Sequence, residues 1–281
     1  MTFRWLGVAG IELAVNGQVI VIDPYVTRFP TWKLWFGRVR PDRNLIAKTI
    51  QRCDLILVSH AHFDHIMDVP DVVHNTGAEA MGSPNSCRLL AACGVSGDKM
   101  REIGVGDKLT LKDLQVEVLR AEHLKMPGFG PGSLAHDLKP PQRARDYRMD
   151  ENFSFLIEVN GHRLLTDPGM RPEDGMAADV LFVFPSRAPG YYESLLGVVQ
   201  PTVVIPWHWD DFFRPLSKPL QPYWKPPRWA FPPLQRVNLA KFRQMIRQID
   251  PETQVVEPEA LRTYDLGERL KKGSEVVAPR R

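Results

Sequence analysis

The chain has 281 residues, 43% hydrophobic and 25% charged, an ordinary globular composition long enough to bury a sizeable core as one large domain or two small ones. Its formal net charge of +3 is spread along the chain apart from a basic tail, so charge gives no case for a nucleic-acid partner and permits an acidic substrate without requiring one. Residues 1–10 lack a basic stretch leading into an apolar run and a small-residue cleavage site, and no segment has the length of a membrane span, so neither a signal peptide nor a transmembrane helix is expected. Cys53, Cys87 and Cys93 form no CxxC pair and no disulfide framework; they read as small buried residues of a cytoplasmic protein.

In chain order, residues 3–22 read as short strands, with Asn16-Gly17 turning a hairpin that ends at Asp23-Pro24. A helix is expected over 44–53, where Leu45, Ile46, Thr49 and Ile50 share a face. A buried strand follows over 54–60, and then a helix opening on Ser83-Pro84 and closing at Gly94. Residues 153–167 repeat the early hairpin: FLIEV, Asn160-Gly161 and HRLLTD end at Asp167-Pro168, six residues past the glycine, as Asp23 lies six past Gly17. Residues 179–185 echo the strand at 54–60, so the chain reads as two similar halves of an α/β fold. A short helix over 191–199, a strand over 203–206 and a striped helix over 239–249 complete the scaffold. Three irregular segments, near 28–43, 125–150 and 212–233, each follow a candidate site residue, and long structureless loops of this kind are usually functional or disordered. The expected organisation is a single domain over 1–270 with a basic flexible tail over 271–281.

Chemistry concentrates in Ser59-His60-Ala61-His62-Phe63-Asp64-His65, directly after the apolar strand. Residues at i and i+2 of an extended segment point the same way, so His60 and His62 can share a cation. The turn that follows sends Asp64 and His65 towards a second cation beside the first. His74 and His162 read as surface residues and His136 as a loop residue near substrate.

HAHFDH resembles the HxHxDH motif of the metallo-β-lactamase superfamily. That resemblance implies a four-layer αββα sandwich of two similar halves and places later landmarks on this chain. His123 matches the third histidine of the first metal site, with His60 and His62; Asp167 matches the carboxylate bridging both metals; His208 matches the last histidine of the second site, with Asp64 and His65. Asp64 and His208 are the expected catalytic pair of that set. Asp23, at the end of the duplicated hairpin, is expected to accept the free N–H of a ligating histidine and fix its ring, and Asp210 or Asp211 is expected to do the same for His208.

The resemblance implies two divalent cations, zinc by ligand chemistry, with manganese and iron accepting the same set. It implies a metal-activated water attacking an ester, lactone or phosphodiester. The opening FRWLGVAGIELAVNGQVIVIDPY is most similar to the branch holding ascorbate-6-phosphate lactonase and N-acylethanolamine-releasing phospholipase D. Asp167-Pro-Gly departs from the Gly-Asp-Ser/Thr usual there. A small-molecule substrate is expected; if Trp32, Trp35, Phe36 and Trp224 form a lid rather than packing the loops onto the body of the protein, it has an apolar part, with an anionic group held by Arg38, Arg143 or Arg145. The alternatives are an RNase Z-like nuclease, which calls for a basic aromatic track and steep salt dependence, and a non-catalytic metal-binding protein of the same fold.

Overall fold

The computed structural model describes residues 1–123, 131–170, 172–223, 236–268 and 270. The first hairpin joins β2 (Gly10–Val15) to β3 (Gln18–Ile22), behind β1 (Thr2–Gly7). Parallel to β3 run β4 (Leu55–Leu57), β5 (Glu79–Gly82) and β6 (Met100–Glu102). The second sheet comprises β7 (Lys108–Leu111), β8 (Leu114–Arg120), β9 (Phe153–Val159), β10 (His162–Thr166), β11 (Val180–Val183), β12 (Val203–Pro206) and β13 (Gln254–Val255). A final strand, β14 (Thr263–Asp265), returns to pair with β1.

The two sheets have one construction. The orders β14-β1-β2-β3-β4-β5-β6 and β7-β8-β9-β10-β11-β12-β13 match position for position: three antiparallel pairings, the third being the hairpin, then three parallel ones. Both hairpins turn on left-handed pairs, Asn16 and Gly17 at φ 49° and 75° and Asn160 and Gly161 at φ 53° and 75°, the backbone that suits Asn-Gly. Their tips meet, the Asn16 amide donating to Asn160 Oδ1 at 2.9 Å.

The sheets pack face to face over one core, with Phe3 of β1 edge-on to Phe182 of β11 at 5.9 Å, and helices cover the outer faces to give the αββα layers. The first half carries α1 (Lys33–Phe36), α2 (Arg43–Thr49), α3 (Phe63–Ile66), α4 (Val69–Thr76) and α5 (Pro84–Ala92), of which α4 and α5 pack on the sheet and α2 packs on α4. On the second sheet lie α6 (Pro189–Val199) and α7 (Leu239–Ile249), which share a separate apolar cluster including Tyr192 and Phe242. Helix α2 stops short of the expected boundary at 53, because from Ile50 the backbone turns extended to enter β4. The segment over 28–43 is less irregular than expected, since it holds α1 and the start of α2, capped by the Asp42 side chain on Leu45 N at 3.0 Å. Residues 124–130, 224–235 and 271–281, which carry parts of two expected loops, Trp224 of the expected lid and the expected tail, lie outside the described residues. Among the described residues, no helix is long and apolar enough to cross a membrane.

Candidate metal centre

Every candidate residue lies where a strand ends, on one rim of the sandwich. After β4 the chain bends at Ser59, whose amide donates to Asp23 Oδ1 at 2.7 Å, and reaches His62 in extended backbone (φ −77°, ψ 154°) before winding into α3. Extended backbone sets His60 and His62 side by side, and the first turn of α3 carries Asp64 and His65 to the other side. His123 follows β8, its approach pinned by the Ala121 amide on Asn152 O at 2.9 Å and the Glu122 amide on Pro168 O at 2.8 Å. His208 follows β12 in a left-handed conformation, φ 53°. A β-carbon is strained there, so the seat must be held by outside contacts. Val8 supplies them: its carbonyl accepts from His208 N at 2.8 Å and from Trp5 Nε1 at 2.9 Å, and its own amide donates to Asp210 Oδ1 at 2.9 Å.

Two triads result. One nitrogen from each of His60, His62 and His123, and one donor atom from each of Asp64, His65 and His208, lie within 4.8 Å of one another inside each group. His60 Nε2 and His62 Nδ1 face each other at 3.1 Å, and two such lone pairs need a proton or a cation between them. Asp64 Oδ2 lies 3.4 Å from His208 Nε2 and 3.7 Å from His65 Nε2. The His60 and His65 rings, one from each triad, are 3.8 Å apart, so the triads are adjacent. His60, His62, Asp64 and His65 are buried, while His123 and His208 are partly exposed and mark the open side.

Electrostatics suit cation binding. Burial, reinforced by the neighbouring imidazoles, pushes His60 well below the usual histidine range. Burial takes His62 down to about 4 and His123 down to about 3, leaving three neutral rings in this triad. Burial works against ionisation of Asp64, but the His65 and His208 imidazoles outweigh it and hold its carboxyl well below the usual carboxylate range. Burial would depress His65 too, yet the Asp23 and Asp64 carboxylates prevail and raise it. Three neutral imidazoles in one triad, and a carboxylate with two imidazoles in the other, form donor sets that fit divalent cations.

Around the triads, Asp23 is fully buried and accepts from His65 Nδ1 at 2.8 Å, from Ser59 N and from Ser59 Oγ at 2.5 Å, so it orients a ring of the second triad. Ser59 Oγ also lies 3.0 Å from His60 Nδ1 and thus touches both triads. Motif reading passed over Ser59; its position directly before the first histidine was the available signal. Asp68, pushed up to about 6 by burial, accepts from Val26 N and Thr27 N and ties down the loop leaving Asp23.

Two expectations need correction. The structure brings Asp167 into neither triad: Gly169 N at 2.8 Å and the Tyr191 hydroxyl occupy Oδ1, and Phe184 N at 3.0 Å occupies Oδ2. The cause is the internal repeat. Asp167 follows β10 as Asp23 follows β3, and each holds the amide two residues past the matching position of the next strand, Phe184 in one half and Ser59 in the other. Asp210 is also no partner of the His208 ring, because its carboxylate is taken by Val8 N and by Arg28 Nη2 at 3.0 Å. It supports His208 through the Val8 turn instead.

Of the four aromatics expected at the lid, Trp32, Trp35 and Phe36 are 58%, 53% and 87% exposed, and Trp224 lies outside the described residues. The rings beside His208 are those of Phe184 and Phe212, each 6.1 Å away. Arg143 and Arg145 line an open cavity of about 830 Å³ along residues 131–148, and Arg38 is exposed.

The family model for the β-lactamase superfamily domain matches residues 18–182, more than half of the chain. A UPF0173 metal-dependent hydrolase of Caldivirga maquilingensis is 25% identical over 230 residues, 78% of this chain and 91% of that one. In fold, the chain is similar to Igni18, a metallo hydrolase from Ignicoccus hospitalis (TM-score 0.59, 16% identity, 94% of this chain and 98% of that one). It is also similar to a metallo-β-lactamase fold protein from Bacillus subtilis (TM-score 0.56, 9% identity, 94% and 99% coverage). With the doubled sheet and the HxHxDH turn at the end of β4, these findings establish that the chain belongs to the β-lactamase superfamily and has the metallo-β-lactamase fold.

Proposed function

We propose that the protein is a metal-dependent hydrolase that directs water at the carbonyl carbon or phosphorus of an ester, lactone or phosphodiester. The observation that carries this reading is the pair of adjacent, largely buried donor triads. His60, His62 and His123 would hold one divalent cation and Asp64, His65 and His208 the other, with zinc the metal that these ligands suit best. Cations in those seats would lower the pKa of a water towards neutrality and polarise the scissile group. The chain's own residues prepare that chemistry. Asp64 brings negative charge that offsets the cations, Asp23 fixes the His65 ring through Nδ1 so that Nε2 faces Asp64, and Ser59 holds His60 by Nδ1. Phe184 and Phe212 pack beside His208, and a small substrate would approach by the partly exposed His123 and His208. The name of the Caldivirga relative agrees with this reading.

The test is metal analysis of the purified protein, then turnover assays with lactones, acyl esters and bis(p-nitrophenyl) phosphate. Two equivalents of metal are expected, with hydrolysis of at least one class that stops on chelation and returns with zinc. Fully loaded protein inert towards all three would refute the hydrolase and leave a non-catalytic metal binder.

A further inference from the structure

Arg187 lies between β11 and α6, and neither the donor triads nor the fold accounts for it. Its side chain is only 16% exposed, and it stacks over the Tyr191 ring, the guanidinium carbon 4.9 Å from the ring centroid. Its nearest anion, Asp167 Oδ2, stands 3.8 Å from Nε, beyond hydrogen-bond reach, and that carboxylate is already occupied by three other donors. Nε is buried without an acceptor, and among the described residues no hydrogen bond from the guanidinium is present. A largely buried guanidinium whose Nε has no acceptor and whose nearest carboxylate stands beyond hydrogen-bond reach is costly unless something else pairs with it.

The position of the fork says what that could be. Gly169 at φ 67° makes room for it: a β-carbon there would fall 2.9 Å from Arg187 Nη2 and 2.1 Å from the carbonyl oxygen of Glu122, the residue before His123. On the other flank, Tyr223 senses the Arg187 charge and packs on Phe184 at 5.9 Å, and Phe184 packs on His208 at 6.1 Å. Arg187 thus lies near Gly169, which approaches the residue before His123, and on the side of Phe184, which packs on His208.

We propose that Arg187 anchors the substrate through an anionic group with two or more equivalent oxygens, a carboxylate or a phosphate, so that the bond to be hydrolysed belongs to an acidic molecule. This rests on the hydrolase reading above. Tyr191 fixes the guanidinium plane, and the planar fork matches such a group bidentately. Arg38, Arg143 and Arg145 are exposed and lack this setting.

The test compares two esters with the same leaving group, p-nitrophenyl acetate and mono-p-nitrophenyl succinate, on the metal-loaded enzyme. The wild type is expected to favour the acidic ester through KM. Arg187→Gln should raise KM for the succinate ester roughly 10- to 100-fold more than for the acetate ester, as loss of charge-assisted hydrogen bonds does, and Arg187→Lys should recover part of the difference. If KM for both esters rises equally, Arg187 is only a prop for Asp167 and the proposal falls. Calorimetric titration of loaded wild type and Arg187→Gln with inorganic phosphate separates this idea from the hydrolase reading. If neither ester is turned over, the ester part of that reading fails, and a tenfold weaker phosphate affinity in the variant still supports the anion site, whereas equal affinities overturn it. Should Arg187→Gln not fold, Arg187→Lys carries the same comparison.

Discussion

Asp23 and Asp167 occupy the same place in the two halves and are put to different use. Each ends a hairpin built on Asn-Gly and holds the backbone amide at the end of the next strand. In the first half the spare acceptor capacity goes to the His65 imidazole and the Ser59 hydroxyl; in the second it goes to Tyr191, with Arg187 nearby. A repeated backbone latch therefore predicts where a carboxylate sits without predicting what it binds. The neighbouring strand end decides that, and only the first half has histidines there.

The largest expected effect tests whether the histidine-bearing half carries the chemistry. Asp64→Ala removes the only carboxylate of either triad and should lower turnover on the order of 100-fold or more, with loss of one metal equivalent by mass spectrometry. Unchanged turnover would exclude the triad as the reactive site. Next comes the tie between the halves. Arg28 and Asp210 form an ion pair with side chains 1% and 0% exposed, and Arg28→Ala would leave a buried charge unpaired. Unfolding in urea should show a loss of about 3–5 kcal/mol; less than about 1 kcal/mol would mean that the pair is dispensable.

The comparison of the two latches comes third. Asp23→Asn should weaken metal affinity roughly 10- to 100-fold, while Asp167→Asn should change it by no more than about threefold. Chelator-competition titrations of both variants decide it, and equal losses would show that Asp167 turns towards the metals after all. The pH dependence of the metal-free protein is smaller. His62 and His123 are held at about 4 and about 3, below the histidine value of about 6.5 in an unfolded chain. Below that value the unfolded chain takes up protons that the folded cluster refuses, so stability present above it is lost as pH falls towards 4. Asp68, raised to about 6, and the raised His65 have the opposite sign, gaining stability as pH falls. Thermal unfolding between pH 6.5 and 4.5 should show a net decline that is shallower in a His62→Gln/His123→Gln variant; identical slopes would contradict the cause given. The smallest effect is symmetrical: Gly17→Ala and Gly161→Ala, both at φ 75°, should each cost about 1 kcal/mol.

What could be read from the residues alone was what is local. Histidines two apart at a strand end and an Asn-Gly turn before an Asp-Pro are short-range patterns, and the structure gathers His60, His62, Asp64, His65, His123 and His208 on one rim. Strands β5 to β8 went unread because they are short or carry charges on their exposed face, as in KLTL and LQVEVLR, which blunts an apolar signal. Helix α4 was hidden by Pro70 and His74 inside its span. Asp167 was assigned by its chain position, which does not say which way a carboxylate faces. The settings of Arg187 and Asp210 depend on partners such as Asp167 and Val8, far away in sequence, that no local pattern exposes.

The seat of His208 also bears on how the protein is made. A ribosome delivers Val8 and the His60–His65 cluster long before His208, yet the turn that holds His208 closes only against Val8, some 202 residues behind Asp210. The nascent chain thus exposes three clustered imidazoles while the second triad still lacks its last member. Closing that triad is therefore a long-range step, slow by the measure of loop closure.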